Sequence, residues 1–344
     1  MALKVYTLGD YEKWDEVVKS FNDYDTYWLS GYVKAFAIHG DGDPLLFYYE
    51  DGSTRGINVV MKRDVAKDIR FEGKIPVGLY FDFATPYGYG GWIIEGDATK
   101  NLFDTYLDWL KSNSIISEFV RFHPMIHNDL RCRSFYEVIQ LGDVVHMDLS
   151  STEIIWNNIT SKNRNMIRKA KKNNVVILNG KSSELYKYFK EIYNGTMDKD
   201  KADEYYYFSD EFYKSILIDL PDNALVFYAV KDNIIISAAI ILFANGKMNY
   251  HLSGSLREFS SLGSTNLLLY EVAIWGLTNG YKTLYLGGGL GSGEDSLFKF
   301  KRAFYRGELN KFYIGKRVID TAKYDELVDM RGLINSEFFP KYRA

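Results

Sequence analysis

The chain has 344 residues, 47% hydrophobic, 25% charged and 16% aromatic, with a formal net charge of −3. That length supports one large or two medium domains, and the acidic balance excludes a globally basic nucleic-acid binder while leaving room for a local basic groove. Cys132 as the only cysteine excludes a disulfide framework and a cysteine-rich zinc site, and no run of about 18 apolar residues supplies a membrane-spanning helix.

Met1 to Tyr6 lacks a basic segment followed by an apolar one, which predicts a cytosolic protein. Apolar periodicity then predicts mixed α/β architecture. Tyr11 to Phe21 reads as a helix, Leu45 to Tyr49 and Ile57 to Arg63 as strands, and Asn101 to Asn113 as a helix. Phe119 to Phe122 and Val144 to Leu149 read as further strands. Ser150-Ser151-Thr152 suits a strand end and a helix cap. Trp156 to Lys172 follows as one helix with an apolar stripe.

A second round of elements begins with helices at Glu184 to Met197 and Asp210 to Asp219. Leu225 to Val230 and Ile234 to Phe243 read as strands joined by a turn at Lys231-Asp232-Asn233. Lys247 to Leu252 is the next strand, Ser264 to Asn279 a helix, Thr283 to Leu286 a strand and Ser296 to Phe304 a short helix. The domain boundary is placed at 150, giving 1–150 and 151–316, with 317–344 returning to the first domain.

Two stretches can carry chemistry. After the strand ending at Gly254, the loop with Arg257, Leu262 and Gly263 opens a helix at Ser264, and free N–H groups at such a start attract anions. An ordinary capped helix gives the same pattern. Downstream, Gly287-Gly288-Gly289 follows a strand and lacks the Gly-Lys-Ser/Thr ending of a phosphate-binding loop. Asp295 there is a helix cap or a proton acceptor, and Lys301 a donor to an oxyanion or a solvated side chain. Leu297, four residues before Lys301, is expected to anchor its stem, and Phe300 to pair with Phe304.

The run Trp156…Lys162-Asn163-Arg164-Asn165-Met166-Ile167-Arg168-Lys169-Ala170-Lys171-Lys172 resembles a signature of the Fem-type peptidoglycan-bridge aminoacyltransferases, within the Gcn5-like (GNAT) N-acyltransferase superfamily. Tyr193 to Met197 with Tyr206-Tyr207-Phe208, and the glycine run with Leu297 to Phe304, resemble two further blocks. Asp82 to Gly91 and Val120 to Pro124 resemble a subgroup linked to surface-polysaccharide synthesis. The resemblance implies two Gcn5-like subdomains side by side, each a mixed sheet flanked by helices. It implies that the Phe-Lys block, Phe300 with Lys301, contributes to acyl transfer. Beside it the residues themselves offer Tyr250 near the oxyanion, His251 and Asp295 as the nearby proton acceptors, and donor contacts at Gly254, Arg257, Leu262, Gly263 and Ser264. Acceptor contacts map to Lys34, Asp82, Tyr87, Tyr89, Arg164, Arg168, Lys199 and Tyr206, with no metal.

The basic run, free of acids, either steers a phosphorylated partner or is a solvated helix face. Tyr87 to Trp92 makes either a stacking wall or a packed aromatic turn. His123 and His127 read as structural, since Pro124 intervenes and no third ligand is evident. The expected activity is acyl transfer from acyl-CoA or aminoacyl-tRNA to an amine of a nucleotide amino sugar or peptidoglycan precursor. The rival expectation is a non-catalytic binding protein of the same fold.

Overall fold

The computed structural model describes residues 2–97, 99–332 and 336–344. Two compact units emerge, one of Met1–Leu141 with Phe312–Ala344, the other of Gly142–Lys311. In chain order the first stretch forms β1 (Leu3–Tyr6), α1 (Tyr11–Lys19), α2 (Ser30–His39), β2 (Asp43–Glu50), β3 (Arg55–Asp64), β4 (Phe81–Ala84), β5 (Ile93–Glu95), α3 (Thr99–Ser112), β6 (Ile115–Arg121) and β7 (Glu137–Asp148). Next come α4 (Thr152–Asn158), α5 (Ser161–Lys172), β8 (Val176–Gly180), α6 (Ser183–Asp200), α7 (Asp210–Asp219), β9 (Ala224–Lys231), β10 (Ile234–Ala244), β11 (Lys247–Ser255), α8 (Ser264–Thr278), β12 (Thr283–Gly287) and α9 (Ser296–Arg302). The chain closes with β13 (Asn310–Val318) and α10 (Thr321–Arg331).

Each unit builds the same sheet. In the first the order is β1-β2-β3-β4-β6-β13, with β5 on β3; in the second it is β8-β9-β10-β11-β12-β7. Four antiparallel strands lead to one parallel pair, β4–β6 or β11–β12, and a last antiparallel strand closes the sheet. A parallel pair needs a long crossover, and α3 and α8 supply it. The closing strands are out of order along the chain. The late strand β13 completes the first unit, and β7, which precedes β8, completes the second. For this reason the units part at 141/142 and 311/312 instead of at 150 and 316. Ser150 to Thr152 is a strand end and a cap only, with Ser151 accepting from the Ile154 N–H.

The mixed α/β class holds. The single helix expected over Trp156 to Lys172 does not, because Ile159 is extended and Thr160 caps a new helix by accepting from the Asn163 N–H. The turn at Asp232-Asn233 is confirmed, with both residues at positive φ as a two-residue hairpin requires. The core of the second unit centres on α8, whose Leu267, Leu268, Leu269, Val272 and Ala273 are all buried against β-strand residues such as Ile241 and Leu284. A helix this apolar all round belongs in the interior. Each of its large side chains contributes roughly 1.5–3 kcal/mol on burial.

Candidate active site

The parallel ladder between β11 and β12 is short. Lys247, Met248 and Asn249 pair with Thr283, Leu284 and Tyr285, and pairing stops there among the described residues. At the same level the register of β11 on β10 jumps from Leu252 to Tyr250, so His251 is an inserted, bulged residue. On the other side β12 skips Leu286 in its ladder to β7. Two bulges at one level turn the strands away from each other and leave an opening at their C-terminal ends, where bulges re-aim side chains and open sheets hold ligands.

The start of α8 serves the same opening. A 3-10 stretch, Arg257–Leu262, leads into Gly263 at φ 73°, and no side chain caps the helix. Its first turn carries no acid, so the N–H groups and the dipole favour an anion. Gly263 is needed for two reasons: its positive φ, and a β-carbon there would lie 2.9 Å from the Met166 carbonyl oxygen of α5. The basic helix therefore packs on the anion-favouring end of α8. Gly263→Ala is accordingly expected to weaken coenzyme A binding about tenfold in calorimetric titration, by displacing those N–H groups. Unchanged affinity in the folded variant would remove this helix end from donor binding.

Lys301 lies on α9 at the end of β12. It is 9% exposed, and its Nζ donates to the Gly288 carbonyl at 2.7 Å. Burial pulls its pKa down to about 8, opposed by Asp295. It is thus a buried ammonium, not a solvated side chain. Leu297 is 37% exposed and does not anchor it; the glycine carbonyl does. Phe300 pairs edge-on with Phe304, ring centroids 5.4 Å apart, which fixes the helix on the core.

The other catalytic candidates divide. Burial pushes the Tyr250 phenol up to about 12, so it stays protonated and can donate. Burial holds the His251 imidazole down at about 3, which makes it far too weak a base for an ammonium substrate. Asp295 accepts from the Phe298 N–H at 2.8 Å and the Leu290 N–H at 3.1 Å. The Phe298 bond is the main reason its pKa lies below the usual value. It is a helix cap, and the reading of it as a proton acceptor falls.

Among the donor contacts, Gly254 does a packing job. A β-carbon there would meet the Ile192 carbonyl oxygen at 2.7 Å, so the glycine lets β11 lie against α6. Ser264 is buried and Arg257 exposed at the start of the helix. Thr196 accepts from the Ser255 N–H at 3.0 Å, which sets the end of α6 beside the end of β11, with exposed Lys199 one turn on and Tyr206 in the turn that follows.

Arg164 and Arg168 stack over Trp156 of α4, at 5.9 and 5.2 Å from its ring centre, and Lys171 pairs with Glu271 at 2.7 Å. The face is part packing, part charge. Replacing both arginines with Gln is expected to slow association of a phosphorylated ligand at low ionic strength, the loss shrinking as salt rises in stopped-flow measurements. A salt-independent effect would assign them to packing on Trp156 alone.

The remaining acceptor candidates belong to the first unit. Lys34 is exposed on α2. Asp82 is fully buried and accepts from Arg63 Nε at 2.6 Å, Arg343 Nε at 2.6 Å and the Tyr342 hydroxyl at 3.0 Å. Both its oxygens are engaged and it is wholly buried, so it anchors structure instead of meeting an acceptor. Tyr87 stacks on Phe36, and Tyr89 sits edge-on to Tyr27, His123 and Phe312. These rings form a packed aromatic cluster, not an open wall. His123 accepts from the Met125 N–H at Nδ1, so Nε2 carries the proton and faces Asp25 Oδ2 at 3.0 Å, with both side chains fully buried. The sequence reading missed Gly288 as the partner of Lys301 and missed the bulge at His251; the run of glycines was the only signal for the first.

The comparisons with known proteins bear on the fold. Residues 161–302 match the acetyltransferase (GNAT) domain family. The second unit carries a GNAT acyltransferase domain. No curated protein matches the chain. Among solved structures, FemX shares 14% identity at a TM-score of 0.70, covering 95% of this chain and 99% of that one. A conserved protein of unknown function from Bacteroides thetaiotaomicron VPI-5482 has a TM-score of 0.58 at 11% identity, covering 92% and 99%. The C-terminal domain of a putative lysylphosphatidylglycerol synthetase from Agrobacterium fabrum has 0.56 at 15%, covering 92% and 93%. The fold of the whole chain is thus the FemX fold. The GNAT match spans the bulged β11, α8, β12 and α9 together, so Lys301 and the α8 N-terminus fall inside the matched residues.

Proposed function

We propose that the GNAT domain transfers an acyl group from an activated donor, acyl-CoA or aminoacyl-tRNA, to the amine of a cell-envelope precursor, a nucleotide amino sugar or a peptidoglycan precursor. The single observation that carries this reading is the buried Lys301 ammonium held on the Gly288 carbonyl at the end of β12, where β11 and β12 stop pairing. The α8 N-terminus takes the donor's phosphates, and the acyl carbonyl lies between the diverging strands. Attack by the amine forms the new C–N bond while the carbonyl π pair moves to oxygen. Lys301 and the Tyr250 hydroxyl supply hydrogen bonds to that oxyanion, and its collapse breaks the C–S or C–O bond and expels the thiolate, or the ribose alkoxide of tRNA, which takes up the proton that the amine gives to water. The amine's proton leaves through water, since His251 is too weak a base and Asp295 is engaged in its cap.

The test is a transfer assay paired with thermal shifts. A donor that binds the native state raises its melting temperature. Acetyl-CoA and charged tRNA are tried separately against a UDP-linked amino sugar and a UDP-linked muramyl peptide. Transfer to one amine, with stabilisation by its donor, supports the reading. Stabilisation by a precursor without any transfer would leave a binding protein of this fold.

A further inference from the structure

We propose that the groove between α6 and α7 is a second binding site, taking a small organic anion with a carboxylate or phosphate head on an apolar body. The two helices enclose a cavity of about 590 Å³. That is the size of a site for a metabolite-sized ligand. Its walls include Tyr186, Lys187, Lys190 and Asn194 of α6 and Tyr213 and Lys214 of α7. Spacing explains the stripe: positions 186, 187, 190 and 194 share one face of α6, while Leu185, Phe189 and Ile192 are buried in the core.

Three polar atoms here are unsatisfied. The hydroxyls of Tyr186 and Tyr213 and the Asn194 Oδ1 are buried without a hydrogen-bond partner among the described residues. Both tyrosines are 3% exposed. Leaving such groups unpaired is costly, and native structures rarely do so without a ligand or an ordered water to complete them. These atoms have almost no accessible surface, so a ligand in the groove meets them only after a small turn of the side chains; a phenol hydroxyl then donates to an oxyanion, and the Asn194 oxygen accepts from a hydroxyl or amine on the same molecule.

The charges point the same way. Lys190 is answered by Asp210 at 2.6 Å across the two helices. Among the described residues Lys187 and Lys214 form no ion pair, though Lys187 also acts on Asp210, and the lining sets three lysines against Glu191 and Asp210, a net positive charge. Leu217 and Ile218 give the apolar part of the lining. The site is separate from the acyl-transfer opening, yet α6 joins them, since Ile192 and Tyr193 press on Gly254 of β11.

The experiment titrates the full chain with sodium octanoate, octyl phosphate and 1-octanol, by calorimetry and ligand-detected NMR. One anion is expected to bind at least about tenfold more tightly than the alcohol, and its head identifies whether carboxylate or phosphate is the natural one. The pair Lys187→Met with Lys214→Met is expected to weaken that anion about tenfold, and Tyr213→Phe about fivefold, with coenzyme A binding unchanged in both. Equal binding of octanol, no binding of either anion at about 10 mM, or unaltered affinity in the lysine variant would each overturn the proposal.

Discussion

Lys301→Met is expected to lower turnover about 100-fold while leaving donor affinity within about twofold. The ammonium sits in a site from which water is largely excluded, held on the Gly288 carbonyl, and one donor in such surroundings is worth several kcal/mol to a developing oxyanion. Methionine keeps most of the stem and removes the charge. Stability is expected to change by no more than about 1 kcal/mol, because the lost hydrogen bond is offset by no longer burying a cation. Two pH signatures accompany the variant. Burial draws the Lys301 pKa from 10.5 to about 8, so kcat of the parent is expected to fall as pH rises through 8 and that limb to vanish in Lys301→Met. An alkaline rise in the parent would mean that the neutral amine acts as a base. The stability sign is the opposite one. Between about 8 and 10.5 the unfolded chain holds the proton more tightly than the folded one, so folding is favoured more as pH rises through that window. Chemical denaturation at pH 8 and pH 10 reads the difference, and the variant should lack it.

What the sequence made legible was local. The hairpin of β9 and β10 announces itself by β-branched runs around Asp232-Asn233, and α8 by the largely apolar run from Leu267 to Leu277, broken only by Glu271. The helix α2 escaped notice, since Leu29 offers no capping side chain and its sequence is apolar on nearly every side. The short strands β4 and β5 have too few residues to show a period, and β8 is an edge strand with a mixed pattern. The exchange of closing strands is a long-range fact that no local window contains. In the site, Lys301 was readable from its block of residues, but whether it is solvated or buried depends on a carbonyl 13 positions away. Asp82 was misread for a stronger version of the same reason. Arg63 is 19 residues from it and Arg343 is 261.

Asp82→Ala is expected to destabilise the first unit by about 3–5 kcal/mol, as breaking a buried ion pair does when its partners stay behind. The carboxylate is wholly enclosed in β4, directly across the ladder from Arg63 of β3. Burial pushes its pKa up, but the guanidiniums of Arg63 and Arg343 together overcome that and hold it below the ordinary value. Without it, among the described residues Arg343 retains Asp68 as its ion-pair partner, at 2.9 Å, and the Tyr342 hydroxyl keeps Ser117. Arg343 is then a nearly buried cation with half its countercharge. The segment bearing Tyr342 and Arg343 should loosen first, because Asp82 takes two of its bonds to the sheet and leaves it Ser117 and Asp68; hydrogen exchange over residues 336–344 should speed up before that of β2 and β3. The acid sign follows from the lowered pKa. The pair's contribution is complete above the unfolded carboxylate value and is lost as pH falls through the lower folded one, so parent and variant should converge in stability only in strong acid. Asp82→Asn keeps the size and one acceptor but not the charge, and is expected to fall between the two. If Asp82→Ala folded with parental stability and instead lost only affinity for an amine acceptor, the carboxylate would be a binding residue after all, and the aspartate would belong to acceptor recognition instead of to the anchoring of the chain's last strand-side segment.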